Sequence, residues 1–493
     1  MPGGRGVGPG AGGGSGVKIL FVLPQIGSAV PSFHAISILS AVVKRAGHET
    51  ALLEMPEMRL TAVDEAIARH DPAVVAITSV TQQIPYAKQI IAHVKQRYPD
   101  VYTVLGGTHA IVRPHVIDEI AGLDALATNE SERPFVDLLS ALEAGQSPTD
   151  IPNFAFRTGG QIIRPVRTYT CDEKEMTALP FEDRELFPRW KHTPKGVPLE
   201  SLGIRPRFWI SRGCAYRCSF CTVPTLRKQY PEKKFVRYPT AERAIAEIES
   251  VADRWTFGTY LIDDDVFLHR PQWVVNEWAK KYPERLKHLK YEVQVRVEAA
   301  TEDGIRALKE TGCSLAKFGL ESGDFEYRKN VYDRNVTDER ILDVFEMCRR
   351  HGLKAHTFNI LAGPDETRRQ VWRTVRMNQR LKPDRCQISI FAPYPGTPLG
   401  DRMAREGRIL KHVNNYFEES PIDLRTMRPW EVKLYFRFFR LAVYLAYSPR
   451  LAWSEIVGLA KWLRDKVRNR RTRYDLEAAT TRVRQTPVGL PLT

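Results

Sequence analysis

From residue 17 onward, short apolar runs alternate with longer stretches in which apolar residues return every three or four positions. The first run is Val17-Lys18-Ile19-Leu20-Phe21-Val22-Leu23, followed by a helical pattern from Ala35 to Arg45. Further runs of strand length stand at Ala73 to Ser79, Val101 to Leu105 and Leu123 to Ala127, each close to a Gly, Pro, Ser or Asn. Strands alternating with helices predict βαβ units, so residues 17–147 are expected to form an α/β, Rossmann-like domain around a doubly wound parallel sheet.

A polar, proline-dotted stretch over 148–205 reads as a linker, and a second alternating series follows it. Its candidate strands are Phe208-Trp209-Ile210, Tyr260-Leu261-Ile262, Tyr291 to Val295, Leu315 to Leu320, Ala355 to Ile360 and Gln387 to Phe391. Six strands with intervening helices predict a partial α/β barrel over 206–405, with the chemistry in loops at the strand C-terminal ends. Beyond residue 406 the strand rhythm stops. Two amphipathic patterns, Trp430 to Tyr447 and Leu451 to Val467, predict a helical C-terminal region over 406–493.

Composition narrows the class of protein. At 493 residues the chain calls for two or three domains. Residues 1–16 are mostly glycine and read as a disordered leader without the apolar segment of a secretory signal. No run of eighteen uncharged apolar residues is present, so no membrane-spanning helix is expected. Seven cysteines, three of them within eight positions, suit a metal or redox site in a reducing compartment better than a disulfide framework, and a cytoplasmic location is expected. The formal charge of +15 favours anionic cofactors, lipid headgroups or nucleic acid as partners.

The three crowded cysteines lie in Ser211-Arg212-Gly213-Cys214-Ala215-Tyr216-Arg217-Cys218-Ser219-Phe220-Cys221, directly after a predicted strand. Three thiolates on one loop can hold three irons of a cubane and leave the fourth iron open to a ligand. A closed zinc site would need a fourth ligand, and no nearby Cys or His supplies one at suitable spacing.

This segment resembles the signature of radical S-adenosylmethionine (SAM) enzymes, with Phe220 at the aromatic position before the last cysteine. The likeness continues in order along the barrel. Leu261-Ile262-Asp263-Asp264-Asp265-Val266-Phe267 resembles the acidic strand end near the methionyl amino group, and its Asp-Asp-x-Phe form makes Asp264 the first choice of the three carboxylates. The alternative role for one of them is a turn or helix cap. Gln294-Val295-Arg296, Gly319-Leu320-Glu321-Ser322-Gly323, Asn359 to Thr367 and Tyr394-Pro395-Gly396-Thr397-Pro398-Leu399 match later family segments. The resemblance gives Phe220, Asp264, Arg296 and Glu321 places around SAM; an ion pair between Arg296 and Glu321 at the barrel mouth is the structural alternative.

The N-terminal domain is similar to the cobalamin-binding module of the class B radical SAM methyltransferase-like family. Ser79-Val80-Thr81, Gly106-Gly107-Thr108-His109 and Asn129-Glu130-Ser131-Glu132 carry the likeness, each after a predicted strand. Ser79, Thr81, Gly106, Gly107 and Glu130 are therefore the candidate cobalamin contacts, because a Gly-Gly pair lets backbone approach a nucleotide tail and hydroxyls can bond it. Two departures stand out. Pro24-Gln25-Ile26-Gly27-Ser28-Ala29 lacks the Asp-x-His-x-x-Gly motif, implying no protein histidine on cobalt, and Asn129 and Ser131 stand where the family usually has glycine. His34 and His109 read as ordinary polar histidines. A degenerate scaffold that binds nothing is the alternative for this domain.

The resemblance implies a [4Fe-4S] cluster, SAM and cobalamin as cofactors, and an electron donor such as flavodoxin or ferredoxin. It implies C-methylation of an unactivated carbon through a 5′-deoxyadenosyl radical and methylcobalamin, on a small-molecule or lipid-like substrate. Cyclisation or rearrangement without methyl transfer is the second enzymatic reading. A methylthiotransferase is disfavoured, since Cys171, Cys313, Cys348 and Cys386 are scattered rather than grouped for a second cluster. A basic nucleic-acid-binding or interaction protein is the reading from another class; no aromatic RNA-recognition motif supports it, and no nucleic acid is expected. Lys433, Arg437 and Arg440, with Lys466 to Arg473, leave peripheral membrane contact open beside ordinary packing of the aromatic face.

Overall fold

The computed structural model describes residues 16–26, 34–230, 235–410 and 419–464. The glycine-rich leader, most of the loop after Pro24 and the basic run from Lys466 lie outside the described residues.

β1 (Lys18–Pro24), β2 (Glu49–Met55), β3 (Val74–Thr78), β4 (Tyr102–Gly106), β5 (Ala125–Ala127), β6 (Phe154–Thr158) and β7 (Gln161–Ile163) form one sheet in the order β2-β1-β3-β4-β5-β6-β7. The first five pair in parallel, with Ile19 beside Thr50 on one side and Val74 on the other. β1 is buried on both faces, which explains its unbroken apolar run. Leu20 and Val22 pack beneath the helices Leu60–His70 and Ile84–Arg97, while Ile19, Phe21 and Leu23 face the opposite layer. The first sheet is thus the doubly wound α/β layer its pattern predicts.

The stretch expected to be a linker behaves differently. Phe154 to Ile163 folds as an antiparallel hairpin, β6 and β7, that extends the first sheet from β5. Phe154, Ala155 and Phe156 are all buried, so this segment belongs to the core. Phe187, Trp190, Leu199 and Ile204 then carry that core onward to Phe208, Tyr260 and Ile262 of the second sheet without a break.

The second sheet contains β8 (Arg207–Phe208), β9 (Thr259–Ile262), β10 (Lys290–Val295), β11 (Cys313–Glu321), β12 (Lys354–Leu361) and β13 (Arg385–Ile390), hydrogen-bonded in chain order and parallel throughout. Six parallel strands with outer helices give the open barrel expected. Two family segments prove to be helix starts. Thr367 and Gln370 form a capping box for the helix Arg368–Leu381, and Thr397 caps the helix Pro398–Arg405.

The C-terminal helix Pro429–Tyr444 buries Val432, Phe439 and Val443 against Val371, Val375, Ile388 and Ile390. A second helix follows over 449–464.

Candidate functional site

The C-terminal ends of the two sheets face one cavity of about 480 Å³. Ser79 after β3, Gly106 and Gly107 at the end of β4, and Asn129 and Glu130 after β5 line it from the first sheet. Arg212, Gly213, Asp263, Asp265 and Gln294 line it from the second. Strand C-terminal ends are where open α/β sheets take ligands, and here two such ends share one space.

On the first-sheet side the cavity wall is built for a polar occupant. The Ser79 hydroxyl and the Asn129 side-chain amide nitrogen are buried without a hydrogen-bond partner. Gly107 has φ +96°, and a Cβ there would meet the Ser79 carbonyl oxygen at 2.5 Å, so only glycine permits this close turn. Thr81 does not line the cavity; its hydroxyl lies 3.0 Å from His109 Nδ1. Burial, helped by Arg113, pushes His109 down to about 4 and keeps it neutral.

Glu130 reaches the cavity but is not a free contact. Its carboxylate accepts hydrogen bonds from both terminal nitrogens of Arg237, at 2.9 and 2.6 Å, and from the Cys171 amide at 2.8 Å, with Arg212 at 3.5 Å. Glu130 thus lines the cavity and is at the same time the hub of these ion pairs.

The cysteine loop is held from several sides. Asp264, fully buried, accepts hydrogen bonds from the Ile210 and Ser211 amides at 2.7 and 2.9 Å and from the Ser211 hydroxyl at 2.6 Å. It braces the loop and does not line the cavity, and neither do Cys214, Cys218 and Cys221. Just past the end of β9, Asp263 and Asp265 do line the cavity. Asp263 is paired with Arg207 and with His34 Nε2 at 3.3 Å. Gly213, at φ +86°, passes so close to the Phe235 carbonyl that a Cβ would sit 2.2 Å from it. Arg212 exchanges two backbone hydrogen bonds of 2.9 Å with Arg237.

Cys214, Cys218 and Cys221 are all free. Burial pushes the Cys214 thiol up to about 11 and Cys221 up to about 12. Arg296 Nη1 lies 2.6 Å from Cys218 Sγ, supplying positive charge beside a would-be thiolate. Among the described residues, no three His, Cys, Asp or Glu side chains close around one point as the ligands of a single ion would. A cubane asks for a wider set, because each thiolate binds a different iron.

The pair expected between Arg296 and Glu321 is not made directly. Arg296 bonds Glu298, Glu298 lies 3.7 Å from Arg334, and Arg334 donates to Glu321 at 2.9 Å. Gly319 leaves room for the last contact, since a Cβ there would meet Glu321 Oε1 at 2.2 Å. Arg296 also lies over the Tyr216 ring, 3.9 Å from its centre. Phe220 packs edge-on against Tyr332, with ring centres 5.2 Å apart. Phe220, Arg296 and Glu321 do not line the cavity between the sheets.

His34 opens the helix His34–Arg45, and both its nitrogens are engaged, Nδ1 by Glu182 at 2.7 Å and Nε2 by Asp263. Burial opposes its charge, but the two carboxylates outweigh burial and raise it to about 9. Sequence reasoning missed this role, together with Arg212, Arg237, Glu132, Glu298 and Arg334. None of these pairings has a periodic signal.

Residues 210–377 match the Radical SAM superfamily, and residues 30–139 match the B12 binding domain. An uncharacterized methyltransferase of Pyrococcus horikoshii is 28% identical over 78% of this chain and 82% of its own length. The anaerobic magnesium-protoporphyrin IX monomethyl ester cyclase of Cereibacter sphaeroides is 23% identical over 78% of this chain and 63% of its own. Among solved structures, the radical SAM methyltransferase TsrM from Kitasatospora setae, with cobalamin and a [4Fe-4S] cluster bound, superposes with a TM-score of 0.62. That alignment covers 81% of this chain and 79% of TsrM at 18% identity, a likeness of fold.

The chain therefore joins a B12-binding domain to a radical SAM domain, the pairing that the shared cavity had already drawn. It is a radical SAM enzyme, and its cofactors are a [4Fe-4S] cluster, SAM and cobalamin.

Proposed function

We propose that this chain is a cobalamin-dependent radical SAM methyltransferase that adds a methyl group to an unactivated carbon of a small-molecule or lipid-like substrate. The observation that carries this reading is the single cavity lined by both sets of strand ends, Ser79 and Gly107 on one side, Gly213 and Asp265 on the other. When bound, the cofactors would supply reductive cleavage of SAM to a 5′-deoxyadenosyl radical and a methyl group carried on cobalamin.

The chain's own residues position and shield. Cys214, Cys218 and Cys221 hold the cluster, and Asp264 fixes the loop that presents them. Asp265 accepts hydrogen bonds from the methionyl ammonium of SAM. The partnerless Ser79 hydroxyl and Asn129 amide bond the cobalamin tail, and Gly107 lets backbone lie against it. Arg296 offsets charge at Cys218. A small one-electron donor of the flavodoxin or ferredoxin kind serves the cluster. No described helix is long and apolar enough to cross a membrane. From the basic stripe Lys433, Arg437 and Arg440 we infer a peripheral lipid contact for the C-terminal helices.

Anaerobic reconstitution tests the reading. Iron and cobalt should both be retained, and a product made with methyl-labelled SAM should carry the label on carbon. A product without label would favour the second reading, cyclisation or rearrangement, for which the likeness to the Cereibacter sphaeroides cyclase speaks.

A further inference from the structure

Nine of the seventeen exposed large apolar side chains among the described residues fall between Trp430 and Leu463, eight of them in the two C-terminal helices. They are not scattered within those helices. In the 449–464 helix, Trp453, Ile456, Val457 and Leu463 recur at helical spacing and form one stripe, and all four are exposed, Trp453 by 66%. The inward side of the same helix is already engaged. Ala452 is buried, Leu451 packs on the core and Glu455 accepts from Arg440 at 3.1 Å, while Trp462, 40% exposed, lies beside the Arg437 guanidinium. The helix Pro429–Tyr444 repeats the arrangement: Val432, Phe439 and Val443 enter the core, while Trp430, Leu434 and Phe438 point outward, with the exposed Leu445 just beyond. Both helices pack one side on the protein and turn a row of large apolar groups to water, and such a row has its apolar partner elsewhere.

The charge pattern says which partner. Residues 429–464 contain six cations, Lys433, Arg437, Arg440, Arg450, Lys461 and Arg464, and two carboxylates. Both carboxylates are taken, Glu431 by Arg368 and Glu455 by Arg440, and of the cations Lys433 pairs with Glu419, so the excess charge rests on the others. A second copy of this chain would bring cations against cations. An anionic bilayer surface meets both features, since basic residues pair with headgroups while tryptophan and aliphatic side chains enter the acyl boundary.

We propose that the outward faces of these two helices are a docking surface for an anionic lipid bilayer, holding the enzyme at the membrane plane. The proposal rests on the peripheral contact inferred above and names its partner; the cofactor chemistry does not depend on it.

The test uses the full-length, reconstituted enzyme and vesicles of phosphatidylcholine with or without phosphatidylglycerol. Flotation should occur with the anionic vesicles alone and fall by about 10-fold or more between low salt and ~0.5 M salt, as screened electrostatic attraction requires. Brominated acyl chains should quench tryptophan emission of the bound wild-type protein, a readout that needs no variant. Trp453→Glu with Val457→Glu should abolish flotation while iron and cobalt contents stay at the wild-type level, so loss of binding is separable from loss of the catalytic centre. Absence of flotation at low salt would overturn the proposal. So would flotation that survives the double substitution but is lost when residues 465–493 are deleted, which would assign binding to the terminal basic run. A dimer in sedimentation that the same substitution dissociates would assign the face to a second copy, and would overturn it too.

Discussion

Arg212, two residues before the first cluster cysteine, places its guanidinium 2.6 Å from Glu132 of the B12-binding domain, and both side chains are buried. With Glu130 and Arg237 the pair forms a four-charge lattice that spans the two sheets. The cysteine loop is therefore anchored to the domain opposite it.

Removing one partner of a buried pair leaves the other charge uncompensated, at a cost of about 3–5 kcal/mol. Glu132→Ala should lower stability by that order in chemical denaturation. Adding Arg212→Met should restore most of the stability but not turnover, and should alter the electron paramagnetic resonance of the reduced cluster. Full recovery of turnover in the double variant would show that the lattice is merely structural.

Asp264 and Asp265 should part company on substitution. Asp264→Ala removes three hydrogen bonds from the segment leading to Cys214, so iron content should fall. Asp265→Asn should leave iron intact and weaken SAM binding by about 10- to 100-fold, the worth of one charge-assisted hydrogen bond. Iron analysis beside SAM titration decides it; the reverse pattern would return the SAM contact to Asp264.

The two metals should be separable. Cys218→Ala should lose the cluster, its optical absorption and all turnover, yet retain cobalamin. Gly107→Ala should do the opposite, since the added Cβ collides with the Ser79 carbonyl oxygen. Cobalt and iron counts on the two purified variants check both statements.

His34 gives a pH dependence whose sign follows from its raised value. Burial works against the charged ring, and Glu182 and Asp263 more than compensate, bringing it to about 9. A group raised in the folded state stabilises fully below its unfolded value, about 6.5, and loses that contribution as pH climbs through 9. The full effect is about 3 kcal/mol. Melting temperatures of the wild type should therefore decline from pH 6.5 to pH 9 more steeply than those of His34→Gln; parallel curves would remove His34 from the account.

Both sheets were legible because an apolar strand flanked by helical patterns leaves a periodic trace, as in Val17 to Leu23. The hairpin inside the connector also left one, unused: Phe154-Ala155-Phe156 and Gln161-Ile162-Ile163 flank Gly159-Gly160, a turn signal. The three aspartates stand just past β9, where strand alternation no longer says which way each points. What could not be read were contacts between distant positions, such as Arg212 with Glu132 or Arg334 with Glu321. Such pairs have no period, and only the fold brings them together.

The apolar interior passes without interruption from Ile19 and Phe21 through Trp190 and Leu199 to Phe208 and Ile262. Neither half of the chain has a finished inner surface of its own. A chimera that grafts this barrel onto a relative's cofactor domain would have to match the Phe187, Trp190 and Ile204 seam as well as the cysteine loop. A change of shape on one side of that seam calls for a matching change on the other.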